Sequence, residues 1–207
     1  MSILMKTNFL IILSIITFNF NYSQKTVKMF TEYGSKEKDI KSLMRFQNIE
    51  LQKIIFEGDD LKGKFYEINL KEFKKGKLIN TKNLFDLKIS EFLKIDTTFT
   101  SLKFFSKIEN DKLTVFVESS QMYSDKKSFN LDKGKSSDYL LQNFQGDKEF
   151  LNIPFEIDFP ILAIITPTNL GDGYSSYCEV AQSDVDPKKF WEKFKIPHYF
   201  IIYVKFK

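Results

Sequence analysis

The feature of this sequence that most constrains its fold is an alternation of apolar and polar residues that begins near Ile49 and recurs to the C-terminus. A period of two is typical of β-strands that bury one face. The clearest case is a predicted hairpin whose strands lie within Leu102–Ile108 and Leu113–Val117, joined by a turn at Asn110-Asp111. The alternation therefore favours β-structure with one buried face.

Three further segments carry strand patterns. Tyr66–Leu70 alternates and leads into a predicted turn at Lys74–Lys77, where Gly76 is free to adopt a positive φ. Ile161–Ile165 is apolar at every position, which is typical of a central strand covered on both faces. His198–Phe206 alternates, with the odd and even positions on opposite faces. A weaker pattern predicts another strand near Ser176–Ser183.

Two short helices are predicted. Ser35–Gln47 carries apolar residues at helical spacing, and Ser35 is the expected N-cap. Asp186-Pro187 begins the second helix, because the carboxylate caps free amides and proline suits the first helical position. Its Phe190 and Phe194 are expected to join the core that the even-numbered residues of the last strand form. Many short strands and few helices predict an all-β, mainly antiparallel β-sandwich or partly open barrel.

The N-terminus has the pattern of a signal peptide. Lys6 is the only charged residue before Lys25, and the apolar run Phe9–Phe18 is about half as long as the roughly 20 residues of a membrane-spanning helix. We expect residues 1–23 to be removed by cleavage between Ser23 and Gln24. The alternatives are an uncleaved anchor and a buried core helix. The remaining chain, 24–207, is predicted to form one domain.

Export predicts that the protein is periplasmic or secreted in a bacterium, with a peripheral position at the outer membrane as a further option. Cys178, the only cysteine, lies far from the cleavage site, so the chain is not a lipoprotein and has no internal disulfide. Cys178 shares strand parity with Val180, which predicts a buried thiol. The mature chain has no glycosylation sequon, a pattern that fits a bacterial protein.

The charge pattern gives little support to nucleic acid as a partner. The net charge is +4, from 31 Lys and Arg against 27 Asp and Glu. Lysines alternate with acids, as in Lys71–Lys75, and form no basic stripe. A protein or a glycan is the expected partner.

His198 is the only histidine and the first residue to consider for catalysis. A hydrolase would pair it with a serine and an acid. The candidates for those two roles are Ser175, Ser176, Asp184 and Asp186. The segment Gly173–Tyr177 lacks the second glycine of a nucleophile elbow. We therefore expect His198 to be packed in the apolar face, with a ring nitrogen satisfied locally.

No metal or cofactor is expected. One histidine and one cysteine are too few for a zinc site. Several acids stand in pairs or beside glycine, but none has the spacing of a dedicated calcium loop. These acids are Asp59, Asp60, Asp172, Asp184 and Asp186. No glycine-rich phosphate loop is present in the sequence.

The loop Thr166–Tyr177 is the candidate recognition site. It combines glycines, polar residues and tyrosines, a composition suited to binding on a rigid scaffold. We predict that Asn169, Asp172, Tyr174 and Tyr177 contact a ligand; the alternative is a hairpin connection without a partner. The expected function is non-catalytic: binding of a protein or glycan, inhibition, or a structural role. The alternative is an exported hydrolase that uses carboxylates or His198.

Overall fold

The computed structural model describes residues 25–133, 135–171 and 174–207, and at 169–171, 174, 178 and 181 it describes the backbone alone. The strands are β1 Thr26–Tyr33, β2 Ile49–Glu57, β3 Tyr66–Lys74, β4 Lys77–Asp86, β5 Phe99–Glu109, β6 Lys112–Ser119, β7 Lys127–Asn130, β8 Leu140–Asn143, β9 Leu151–Pro154, β10 Phe159–Ile165, β11 Thr168–Gly171, β12 Tyr174–Ser176 and β13 His198–Phe206. The helices are α1 Lys38–Phe46, α2 Cys178–Ala181 and α3 Phe190–Phe194.

Two antiparallel sheets enclose the main core, and one of them curls into half a barrel. Sheet A has six strands in the order β7-β6-β5-β2-β1-β9, and sheet B has five in the order β4-β3-β13-β10-β8. Strands β11 and β12 form a separate short hairpin. The predicted all-β, antiparallel architecture is confirmed.

Sheet A buries one face, as its alternating sequence predicts. The predicted hairpin is β5–β6, in which Leu102, Phe104 and Val117 are at most 1% exposed. Its turn residues Asn110 and Asp111 both have positive φ, 51° and 55°. Two consecutive positive φ angles match the twist of a tight hairpin, and Asn and Asp tolerate them better than other side chains.

The central strands of sheet B, β10 and β13, are buried on both faces, whereas the edge strand β4 is mostly exposed. Strand β13 turns Phe200, Ile202 and Val204 toward sheet A, and the intervening residues pack in a second apolar cluster on the outer side. Phe190 and Phe194 of α3 belong to this second cluster, so the expectation that they join the inner core is wrong. The physical reason is that α3 lies on the outer side of the sheet, where the second face of β13 also needs cover.

Local predictions have mixed outcomes. The turn before β4 is confirmed, with Gly76 at φ 75°, and Asp186 caps the turn before α3 by accepting from the Lys188 amide at 3.0 Å. The strand predicted near Ser176–Ser183 is wrong, because α2 follows β12 directly. A short apolar pattern does not distinguish strand from helix. Cys178 therefore lies in a helix and not in a strand, so it has no strand parity with Val180, and its side chain lies outside the described part.

The first predicted helix is confirmed as α1, but its N-cap is not the predicted Ser35. Its N-cap is Glu37, whose amide donates to Ser35 Oγ at 3.1 Å, so Ser35 supports the turn before the helix. None of the α1 residues is buried, and Leu43 and Phe46 are 60% and 80% exposed. The helix flanks one end of the sandwich without adding to its core.

The predicted signal segment 1–23 lies outside the described residues. Among the helices that are described, none has the length and apolar character needed to cross a membrane.

Candidate binding site

The inner faces of both sheets become polar at the same end of the sandwich. In sheet A, Glu50 of β2 lies directly opposite Ser106 of β5. In sheet B, Glu72 of β3 and His198 of β13 are hydrogen-bonded to each other. Tyr139, just before β8, connects the two sides, because it lines the same groove as Glu50 and Ser106 and contacts His198. This polar end is the candidate site.

Both ring nitrogens of His198 have partners. Nε2 lies 2.9 Å from Glu72 Oε1, and Nδ1 lies 3.0 Å from the Tyr139 hydroxyl. Asp132 Oδ1 is 3.6 Å from Nδ1, beyond a good hydrogen bond. The imidazole is 1% exposed, so the expectation of a packed, locally satisfied His198 is confirmed.

The environment of Tyr139 keeps its phenol protonated. Burial raises the pKa of Tyr139, and the charge of Asp132 raises it further. The phenol therefore keeps its proton and shares a hydrogen bond with His198 Nδ1, and the Glu72 carboxylate, which can only accept, takes the hydrogen bond of Nε2–H. Such a satisfied network stabilises one arrangement of a buried polar cluster.

This network is poorly placed for catalysis. A nucleophile or general base must reach the substrate, yet Tyr139 is 3% exposed and His198 1%. The partners of His198 come from Tyr139 and Glu72, and neither is a serine. The acids proposed as triad members act elsewhere: Asp184 pairs with Lys148 at 3.3 Å, and Asp186 is the cap described above.

A groove of about 530 Å³ opens at the polar end, between the two sheets and beside α1. Its polar lining combines a carboxylate pair, a guanidinium, two amides and several hydroxyls. These groups belong to Arg45, Asn48, Glu50, Ser106, Glu109, Asn110, Ser136, Ser137 and Tyr139. Apolar contacts come from Met44, Ile108, Leu141 and Ile164.

Glu50 is the half-buried acid of this groove. Its Oε2 accepts a hydrogen bond of 3.1 Å from the backbone amide of Leu141, on the free edge of β8. Burial raises the pKa of Glu50, and the Leu141 amide partly offsets that rise. Glu50 thus satisfies a backbone amide on the edge of β8 and places a partly desolvated carboxylate in the groove.

The predicted recognition loop lies near this groove through Tyr177. The Tyr177 hydroxyl donates to the Asp138 carbonyl at 2.9 Å, in the turn that contributes Ser136 and Ser137 to the groove. Burial raises the pKa of Tyr177, and the charges of Asp138 and Glu50 contribute. Asp172, and the side chains of Asn169 and Tyr174, lie outside the described part, so their predicted role stays a prediction.

Two of the acids considered for a calcium site, Asp59 and Asp60, lie in a short 3-10 turn. Asp60 forms an ion pair with Lys25, and Asp59 begins the turn. Within the described ranges there is no cluster of three or more His, Cys, Asp or Glu residues that could hold a metal ion.

The residues that sequence reasoning missed are Glu50, Glu72 and Tyr139. A signal for the first two is present in the strand pattern, because each occupies the core-facing parity of its strand. Glu50 continues the face of Ile54, and Glu72 continues that of Ile68. Tyr139 stands outside a periodic segment and has no comparable signal.

Comparison with protein-family models, curated proteins and solved structures finds no match for this chain.

Proposed function

We propose that the chain is an exported, non-catalytic β-sandwich that binds a glycan in the groove at its polar end. The observation that carries this proposal is the lining of that groove. Its carboxylates, amides, hydroxyls and guanidinium are the donors and acceptors that match sugar hydroxyls. A volume of about 530 Å³ is within the usual range of ligand sites, roughly 300–1,000 Å³.

A protein partner is the other ligand class that the sequence allows. The groove favours a glycan because its polar groups converge within a concavity, whereas the centre of a protein interface is usually apolar and aromatic. Two tyrosines, Tyr33 and Tyr177, add aromatic rings near the groove. Burial raises the pKa of each, and the nearby charge of Glu50 raises it further.

The binding test uses the mature protein on an array of bacterial and plant oligosaccharides, followed by calorimetry with the glycan retained best. Ser137→Trp should fill the groove and weaken binding at least tenfold. Ser128→Trp is the matched control, because Ser128 is also exposed but lies on β7, away from the groove. No retained glycan, together with a protein captured by crosslinking in the native envelope, would replace the glycan with a protein partner.

The same assay tests the alternative of a hydrolase. If an oligosaccharide is shortened during incubation and new reducing ends accumulate, the protein is an enzyme and the non-catalytic part of the proposal is wrong. We expect the glycan to be recovered intact, because the imidazole of His198 is 1% exposed and does not line the groove.

Export rests on the sequence pattern of residues 1–23. Intact-mass measurement of the native protein should give the mass of a chain that begins at Gln24. A full-length mass in the membrane fraction would contradict cleavage and favour an anchored protein.

A further inference from the structure

The two carboxylates that line the groove differ in their charge partners. Glu109 is exposed and pairs with Lys107 at 3.1 Å. Glu50 is more buried, and within the described residues no Lys, Arg or His forms an ion pair with it. Arg45 lines the same groove without pairing with Glu50. Glu50 is therefore the carboxylate of the groove that lacks a cation.

A half-buried carboxylate without a cation is a charge that the fold leaves only partly compensated. The Leu141 amide satisfies one lone pair of Oε2. A carboxylate accepts up to about four hydrogen bonds, so capacity remains for another donor. A charged donor contributes more than a neutral one, and most where water is partly excluded.

The surroundings of Glu50 favour a positive group over a negative one. The charge of Glu50 raises the pKa values of Tyr33 and Tyr177, and that of Asp138 also acts on Tyr177. Protonated phenols offer oxygen acceptors and ring faces, both of which attract an ammonium group. Among the described residues that line the groove, the charged side chains are two carboxylates, Glu50 and Glu109, and one guanidinium, Arg45.

We propose that the ligand of this groove carries a protonated primary amine that binds Glu50, as an amino sugar without its N-acetyl group does. This inference rests on the proposed function, since it names the class of glycan that the same groove takes. The amine donates to the carboxylate beside the Leu141 amide, and the neighbouring hydroxyls and amides contact the sugar hydroxyls.

The test compares two probes of equal length, glucosamine oligomers and their fully N-acetylated counterparts, by calorimetry at neutral pH. The amine form should bind the natural protein about tenfold more tightly, the factor expected for one charge-assisted hydrogen bond. Glu50→Gln keeps an oxygen for the Leu141 amide and removes the charge, so it should abolish this preference. Glu109→Gln, in the same groove, should retain it.

Each outcome bears on a different statement. Equal affinity for both probes, unchanged by Glu50→Gln, would overturn the amine inference and leave the glycan-binding function standing. Loss of the preference in Glu109→Gln but not in Glu50→Gln would also overturn it. If neither probe nor any arrayed glycan binds, the proposed function itself fails. Thermal unfolding of both variants would show that a loss of binding is not a loss of fold.

Discussion

The outer faces of the two sheets differ in what covers them. On sheet B, Tyr199, Ile201 and Tyr203 belong to the second apolar cluster and are at most 7% exposed. On sheet A, the cross-strand pair Phe105 and Phe116 has ring centroids 5.7 Å apart and stays half open to solvent. Sheet B is thus covered on both faces along its central strands, whereas sheet A has one dry and one wet face.

This difference explains why the strand patterns differ. A one-sided sheet needs apolar residues at alternate positions, so β5 and β6 alternate clearly. A two-sided sheet needs them at nearly every position, and β10 is buried throughout Ile161–Ile165. Stability should therefore depend more on the central strands of sheet B, whose residues contribute to one of two clusters on either face.

Removal of β13 should have the largest effect. Truncation after Lys195 deletes apolar residues from both clusters, each of which contributes roughly 1.5–3 kcal/mol by burial. Domains are stable by only about 5–15 kcal/mol, so the truncated chain should not fold cooperatively. Calorimetry of the purified fragment tests this. A sharp thermal transition would show that β13 is dispensable and that the two-sided description is wrong.

One lysine substituted on the outer face of each sheet tests directly whether the two faces differ in cover. Ile201→Lys places an ammonium group where the native side chain is 0% exposed, and it should cost more than about 4 kcal/mol. Ile55→Lys, at a half-buried position on the outer face of sheet A, should cost about 1 kcal/mol or less. Urea unfolding measures both. Similar losses would mean that the two faces are equally covered.

Buried tyrosines in the second apolar cluster should make the free energy of unfolding fall at alkaline pH. Burial raises the pKa of Tyr203, and the charge of Asp186 adds to it. The unfolded chain releases the phenol proton near pH 10 and the folded chain retains it, so this stabilising contribution is present below about pH 10 and lost above it. Tyr203→Phe should make the loss of stability above about pH 10 shallower in urea unfolding.

Tyr123→Phe is the control for the alkaline experiment, because Tyr123 is 71% exposed on the side of sheet A. It should leave the slope of stability against pH unchanged. A slope that responds equally to both variants would show that the cover of sheet B does not exclude water from Tyr203.

The sequence predicts the fold better than the candidate site. Strands with strict alternation, and the all-apolar Ile161–Ile165, could be predicted because a single periodicity decides them. The side of the sheet on which Phe190 lies could not, since both faces of β13 are apolar and either would accept it. α2 was missed because four residues carry too little pattern to distinguish a helical turn from a strand.

The site depends on contacts between distant segments. Glu50 and Leu141 lie in different sheets and meet through one hydrogen bond of 3.1 Å. A charged residue at a core-facing position indicates that Glu50 has a polar partner or a polar surrounding at the end of β2. It does not indicate which element of the fold provides that partner. His198 was assigned correctly to the apolar face, while its partners Glu72 and Tyr139 required the fold.

The smallest expected effect on stability is that of a substitution at Lys205, where the apolar cover of sheet B should end. Lys205 follows Tyr203 on the outer face of β13 and is only partly buried, so the second cluster should end there. Lys103 is its counterpart on sheet A, where it pairs with Glu118 at 2.7 Å in an exposed setting. Exposed lysines and surface ion pairs contribute little, so Lys205→Ala and Lys103→Ala should each change stability by less than about 0.5 kcal/mol in urea unfolding.

A loss above about 1 kcal/mol for Lys205→Ala alone would mean that its aliphatic stem packs under the outer layer, as long cationic side chains can. The covered region of sheet B would then extend to the end of the strand.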